Sequence, residues 1–123
     1  MAMSIALLIL LANTQQTQVI TSVGAPVPPV VETTENLLRI CSNSSQDSAS
    51  FCLGVINGAA DAIALEAQMR GTEAYCPPEF TSYGQIRGVV LGYIRANPAS
   101  HRQPGPQTVR EALAAAYPCP PRR

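Results

Sequence analysis

The sequence of 123 residues contains no lysine and a single histidine, His101. All eight positive charges are therefore arginines, and eight acidic residues balance them, so the formal net charge at pH 7 is zero. Proteins that bind nucleic acid present clustered positive charge to the phosphates. A neutral chain without a basic stripe argues against nucleic acid as a partner.

The lone histidine also restricts catalysis. A nucleophilic cysteine or serine needs a neighbouring base, and His101 lies in a proline-rich loop, where we interpret it as a solvated side chain. Asp61 and Glu66 do not have the i, i+4 spacing of neighbours on one helix face, and we interpret them as surface charges. We therefore predict no catalytic and no cofactor-binding residue, and a protein that is not an enzyme.

The sequence also lacks the short cysteine spacings of a zinc site. Its four cysteines are Cys41, Cys52, Cys76 and Cys119, whereas zinc ligands usually include close pairs separated by about two to four residues. An even number of cysteines in a short chain is typical of disulfides formed in an oxidising compartment. We therefore predict two disulfides and no metal, with three possible pairings.

Residues 1–31 are predicted to be a signal peptide or apolar leader followed by a proline-rich linker. The stretch "MAMSIALLILLA" suits the apolar region of a secretory signal and is too short to span a membrane as a helix. The usual basic start is missing, since no basic residue precedes Arg39. Cleavage could follow Thr14 or fall near Gly24 and Ala25. We expect a periplasmic or secreted protein without a stable membrane span.

Residues 32–121 are predicted to form one all-α domain of four helices. Apolar residues recur at the spacing of an amphipathic helix in four stretches, and no stretch alternates as a half-buried strand does. These apolar positions are Leu37, Leu38 and Cys41; Cys52, Val55, Ile56, Ala59 and Ile63; Ile86, Val89, Val90, Tyr93 and Ile94; and Val109, Ala112, Leu113, Ala116 and Tyr117.

The expected ends of the first two helices follow from capping residues. The second helix is predicted from about Ser50 to Arg70, with Gly71 as its stop. The candidate N-caps are Thr33 or Thr34 for the first helix and Asp47, Ser48 or Ser50 for the second.

The third and fourth helices have clearer signals. Ser82 and Gln85 form the S-x-x-Q pattern of a capping box, and Asn97 before Pro98 ends the third helix. Pro106 suits the first turn of the fourth helix.

The helix positions favour one cysteine pairing. Cys41 ends the first helix and Cys52 begins the second, whereas Cys76 precedes the third helix and Cys119 follows the fourth. Pairing Cys41 with Cys52 and Cys76 with Cys119 would therefore close two helical hairpins. In the chain-entropy account these bridges contribute about 3 and about 4 kcal/mol, comparable with the whole stability of a small domain.

Two helix faces carry further expectations. Gly54, Gly58 and Ala62 are spaced four apart, so we expect them to allow close packing of another helix inside the domain. Arg87 and Arg95 lie on the polar side of the third helix, where a solvated face is the simpler interpretation and a partner contact the alternative.

Three segments resemble the Rap/Tai immunity proteins of bacterial type VI secretion. "CLGVINGAAD" is similar to the family's C-L-G-aromatic-I-x-G-x-x-D, with Val55 in place of the aromatic residue. "YCPPEFTSYGQIRGVVLGYIRANP" is similar to its C-x-P followed by glutamine, a Val-Val pair and a helix closed by proline. "VREALAAAYPC" is similar to its V-x-x-A-L-x-x-A-aromatic-P-C ending. The resemblance covers about residues 35–119.

The resemblance implies a small helical fold related to the periplasmic acid-stress chaperones and often dimeric, so a homodimer is a further expectation. Such proteins are non-catalytic inhibitors that bind a toxic effector, typically a peptidoglycan amidase injected by a neighbouring cell, and block its active site. The resemblance does not identify the residues that contact the effector. The alternatives are a stand-alone periplasmic protein or holdase chaperone without a dedicated toxin and, in a third class, a thiol redox enzyme or metal carrier.

Overall fold

The computed structural model describes residues 33–122. The leader, the cleavage positions and the linker predicted within residues 1–31 lie outside the described residues. No strand occurs between residues 33 and 122, and the all-α class is confirmed. The elements are α1 (Thr34–Cys41), α2 (Gln46–Met69), α3 (Tyr83–Ala96), a short 3-10 helix (Pro98–Arg102) and α4 (Gly105–Ala116).

The N-caps predicted for α1 and α3 are present. Thr33 Oγ1 accepts a hydrogen bond from Asn36 N at 3.3 Å. At α3, Gln85 N donates to Ser82 Oγ at 3.2 Å, and Ser82 N donates to Gln85 Oε1 at 2.7 Å. This reciprocal capping box satisfies two amide groups that have no partner within the helix itself.

Helix α2 begins four residues earlier than predicted, and none of the three expected residues caps it. The N-cap is Ser45, whose Oγ accepts from Ser48 N at 3.2 Å. Ser45 N in turn donates to Asn43 Oδ1 at 2.9 Å, so a local turn sets the cap. Asp47 lies in the first turn instead, where the helix dipole favours a negative charge.

Gly71 ends α2 as predicted. Its φ is +70°, a left-handed conformation that glycine adopts without a steric cost. Gly71 N donates to Gln68 O and Thr72 N donates to Ala67 O, both at 2.9 Å. These two hydrogen bonds form a Schellman motif, which satisfies the last carbonyls of the helix.

The hydrophobic core lies where the four helices meet, and each helix contacts the other three. Its buried members come from every predicted apolar stretch, because each helix turns one face inward. They are Leu37 on α1; Cys52, Ile56, Ala60 and Ile63 on α2; Ile86, Val90, Leu91 and Ile94 on α3; and Val109, Ala112 and Leu113 on α4.

Both predicted disulfides are present. The Cys41–Cys52 bridge joins the end of α1 to the first half of α2, across 11 residues of sequence. The Cys76–Cys119 bridge joins the segment before α3 to the segment after α4, across 43 residues. The second bridge closes the longer loop, so it removes more conformational entropy from the unfolded chain.

A buried polar contact fixes α1 against the start of α4. Thr34 and Thr108 are both fully buried, and their hydroxyl oxygens lie 2.7 Å apart. Thr34 N also donates to Gln103 O at 2.9 Å. A buried hydroxyl without a partner would cost stability, so these groups have to stay together in the fold.

Helix α2 is, by length and composition, long and apolar enough to cross a membrane. The core helices of folded domains can be equally long and apolar. Here Ile56, Ala60 and Ile63 are buried against the other helices, and Asp61 is exposed on the opposite side. We interpret α2 as the central helix of the bundle.

The glycines of α2 do not have the packing role that was predicted. Gly54, Gly58 and Ala62 are exposed among the described residues. A Cβ atom built on Gly54 or Gly58 would meet no described atom within 4 Å. The prediction was wrong because the spacing shows that these residues share a face but not which face the neighbouring helices cover.

Gly58→Ala is expected to raise the free energy of unfolding by about 0.5–1 kcal/mol, since alanine costs less conformational entropy in a helix and has room at this position. Urea denaturation measures the change. Gly71→Ala is the matched control and should destabilise the protein, because residue 71 has a φ of +70°. A loss of stability in Gly58→Ala would contradict the exposed position.

Candidate partner-binding surface

His101 is not the solvated side chain that the sequence suggested. It lies in the 3-10 helix after α3 and is half buried. Its Nε2 lies 3.3 Å from Ile94 O, and because a carbonyl only accepts, Nε2 is the donor. His101 therefore satisfies a carbonyl in the last turn of α3, which is a structural role.

All four cysteines are bonded in disulfides. Glu73 lies close to the Cys76–Cys119 bridge, and one carboxylate oxygen and the two sulfurs are all within 4.8 Å of one another. Metal ligation by cysteine requires a thiolate, and here each sulfur is already bonded to the other. In this state the cluster offers a metal only the exposed carboxylate of Glu73.

The two candidate carboxylates of α2 have different surroundings. Asp61 is exposed. Glu66 makes ion pairs with Arg70, the C-cap residue of the same helix, at 2.6 Å, and with Arg110 on α4. The hydrogen bond and the positive charge of Arg110, with the charge of Arg70, lower the pKa of Glu66 below its ordinary value. Glu66 therefore links α2 to α4 at the surface.

The two arginines of α3 differ in exposure. Arg87 is half buried, whereas Arg95 is exposed in the last turn. A cation in the last turn of a helix interacts favourably with the helix dipole. This position gives Arg95 a structural role, and whether either arginine contacts a partner stays a prediction.

Large apolar side chains that remain exposed are the feature that sequence reasoning missed. Two regions contain them: the outer face of α2 and the segment that leads into α3. They are Phe51, Leu65 and Met69 on α2, Phe80 in the segment before α3, and Tyr83 at the first position of α3. The signal was present in the sequence, because none of the five occupies a predicted core position.

Residues 77–82, between Cys76 and α3, form a short turn that we call the Phe80 loop. Thr81 N donates to Pro78 O at 3.2 Å and Thr81 Oγ1 donates to the same oxygen at 2.6 Å. Phe80 is the third residue of this turn and has a φ of +66°. Its side chain is 92% exposed, so the loop presents an aromatic ring to solvent.

Contacts with α2 and with the end of the chain hold the base of the Phe80 loop. Tyr75 Oη donates to Ala60 O at 3.2 Å, and partial burial, together with the charge of Asp61, raises the pKa of Tyr75. Cys76 N donates to Tyr117 O at 2.8 Å, beside the Cys76–Cys119 bridge. The loop therefore starts from a fixed position.

A second surface feature is an apolar groove of about 160 Å³ between α1, α2 and α4. It is lined by Leu37, Val55, Ala59, Gly105, Pro106 and Val109. The lining contains no charged side chain, so the groove suits an apolar group rather than an ion.

Comparison with known protein families identifies a family whose model matches this domain. The family model of Rap1a immunity proteins matches residues 33–119, which include all four helices and all four cysteines. The chain belongs to the Rap1a immunity protein family. Comparisons with curated proteins and with solved structures gave no match.

Membership in the Rap1a immunity family confirms the resemblance drawn from the three sequence segments. An immunity protein acts by binding an effector protein, so the functional site of this chain is a protein-binding surface. The exposed apolar regions of α2 and the Phe80 loop are the surface features suited to that task, because interface cores are enriched in aromatic residues and methionine.

Glu66→Gln is expected to lower stability at neutral pH and to make progressively less difference in acid. The folded-state pKa of Glu66 lies below its ordinary value of 4.5, so the carboxylate stabilises the fold above that pH. The stabilisation is lost as pH falls through the lowered pKa. The measurement is the difference in unfolding free energy between wild type and variant from neutral to strongly acidic pH.

Glu79→Gln is the matched control, since Glu79 is exposed and makes no ion pair with residues 33–122. Added salt should shrink the Glu66 difference, because exposed ion pairs are screened. A difference between wild type and Glu66→Gln that does not change with pH would show that the ion pairs are not its cause.

Proposed function

We propose that this Rap1a immunity protein is an exported inhibitor that binds a peptidoglycan amidase effector of type VI secretion and blocks its active site. The observation that carries the proposal is the family match over residues 33–119, which includes the complete helical bundle and both disulfides. The three segments that resemble Rap/Tai proteins lie in the same part of the chain.

The disulfides support export. All four cysteines are paired, and disulfides form and persist in the periplasm and outside the cell rather than in the cytosol. Peptidoglycan also lies outside the cytoplasmic membrane, so an inhibitor located there meets the amidase next to its substrate. We therefore propose a periplasmic or secreted location.

The positions of the histidine and the cysteines support binding rather than catalysis. A cysteine nucleophile needs a free thiolate and a nearby base. Here His101 contacts Ile94 O and the four sulfurs are bonded in pairs. The fold therefore already uses the histidine and the cysteines from which such a catalytic site would be built.

A homodimer belongs to the same proposal, because proteins that resemble this chain are often dimeric. Light scattering coupled to size-exclusion chromatography should give twice the mass of the mature chain. A single-chain mass across the micromolar range would remove the homodimer from the proposal and leave the inhibitor role in place.

A general holdase is the second candidate, and the exposed apolar residues favour it, above all Met69 at 81% and Phe80 at 92% exposure. A holdase would suppress the aggregation of unrelated proteins at low pH. Light scattering of such a client tests this function. Scattering equal to that with an inert control protein would reject it.

The inhibitor proposal predicts that co-expression with the amidase effectors encoded beside it protects a bacterial test strain. Each amidase is directed to the periplasm, where it lyses the cells, and the full chain should restore viability to the level of the strain without amidase. A variant lacking residues 1–31 is the control and should fail to protect, because it stays in the cytoplasm. Loss of viability with every amidase, despite abundant periplasmic inhibitor, would reject the proposal.

A further inference from the structure

Phe80 combines two unfavourable features that the fold does not need. Its φ of +66° lies in the left-handed region, which a type II β-turn requires at its third position and which glycine or asparagine adopts more readily. Positive φ at a bulky residue is a genuine outlier. Its side chain is also 92% exposed, so burial in the core does not offset the strain.

The rest of the loop is ordered by ordinary interactions. The Cys76–Cys119 bridge and the contact of Cys76 N with Tyr117 O hold its start, and the capping box of Ser82 and Gln85 holds its end. A loop that is already ordered loses little further entropy when it binds. Strained backbone held in place by well-satisfied surroundings is typical of functional sites.

The neighbours of Phe80 along the chain indicate what kind of surface would bind its side chain. Tyr83, the first residue of α3, is 65% exposed, and aromatic side chains provide large contact area with few rotatable bonds. Glu79 is exposed and makes no ion pair within residues 33–122. The matching surface is an apolar pocket with a cationic group at its rim.

We infer that the Phe80 loop inserts its aromatic ring into an apolar pocket with a cationic rim on the effector protein. This inference rests on the proposed function and specifies its contact. Phe80 is the central anchor, Tyr83 adds apolar contact beside it, and Glu79 pairs with the cationic rim. The exposed apolar residues of α2 lie on a regular helix without backbone strain, so the inference does not include them.

Binding measurements with Phe80 variants test this contact. The probe is an amidase effector against which the wild-type protein protects cells, titrated by calorimetry with purified, disulfide-bonded protein. Phe80→Ala and Phe80→Gly should each weaken binding by about 30-fold or more, as the loss of a buried aromatic anchor does. Gln68→Ala, which truncates an exposed side chain of α2 outside both exposed apolar regions, should change the affinity by no more than about 3-fold.

The glycine variant separates binding from folding. Phe80→Gly should unfold at the same or a higher temperature than wild type, because glycine relieves the left-handed strain. Loss of affinity without loss of stability is therefore the expected pair of results. A Phe80→Gly protein that binds like wild type would overturn the inference, and so would one whose weaker binding is matched by lower stability.

Glu79→Gln tests the cationic rim. It should slow association at low salt, with the difference from wild type disappearing at about 1 M salt. An association rate equal to that of wild type at low salt would overturn the cationic rim. If the wild-type protein binds no effector, the proposed function and this contact both fall, whereas wild-type binding with unaffected Phe80 variants rejects the contact alone.

Discussion

The bridge between Cys76 and Cys119 is the constraint on which the position of the Phe80 loop depends. It ties the segment before α3 to the segment after α4, and next to it Cys76 N donates to Tyr117 O at 2.8 Å. Without the bridge, the segment after α4 would depend on the buried side chains of α4 to hold its position. Because the bridge fixes its starting point, the Phe80 loop has a defined position from which it can present a ring to solvent.

Features that depend on neighbouring residues could be predicted from the sequence. The capping box at Ser82 and the stop at Gly71 involve hydrogen bonds that span at most five residues. The disulfide pairing followed from the helix order, since each bridge closes a helical hairpin. The family could be recognised from three segments because they preserve the spacing between cysteines and helix ends.

Features that depend on how the helices pack could not be predicted. Thr34 and Thr108 are 74 residues apart in sequence, so their 2.7 Å contact has no local signal. The exposure of Gly54 and Gly58 depends on the side from which the other helices approach α2. The conformation of Phe80 is even harder to predict, because phenylalanine disfavours the φ of +66° that it adopts here. Such conflicts between local preference and final structure are expected at functional sites.

These observations make the protein a small scaffold whose buried core and exposed apolar side chains lie in different places. The buried residues, the two disulfides and the Thr34–Thr108 contact hold the four helices together. The exposed aromatic residues contribute nothing to that core. A surface that is not needed for folding can vary without loss of the fold, which suits an immunity protein that binds an effector.

The most direct test of this account measures the backbone mobility of the Phe80 loop in the free protein by ¹⁵N relaxation. In the disulfide-bonded protein, Glu79, Phe80 and Thr81 should have order parameters of about 0.85, as rigid backbone has. In a Cys76→Ser, Cys119→Ser double variant, the same amides should fall below about 0.6. A flexible loop in the disulfide-bonded protein would contradict the claim that the bridge holds this contact surface ready for its partner.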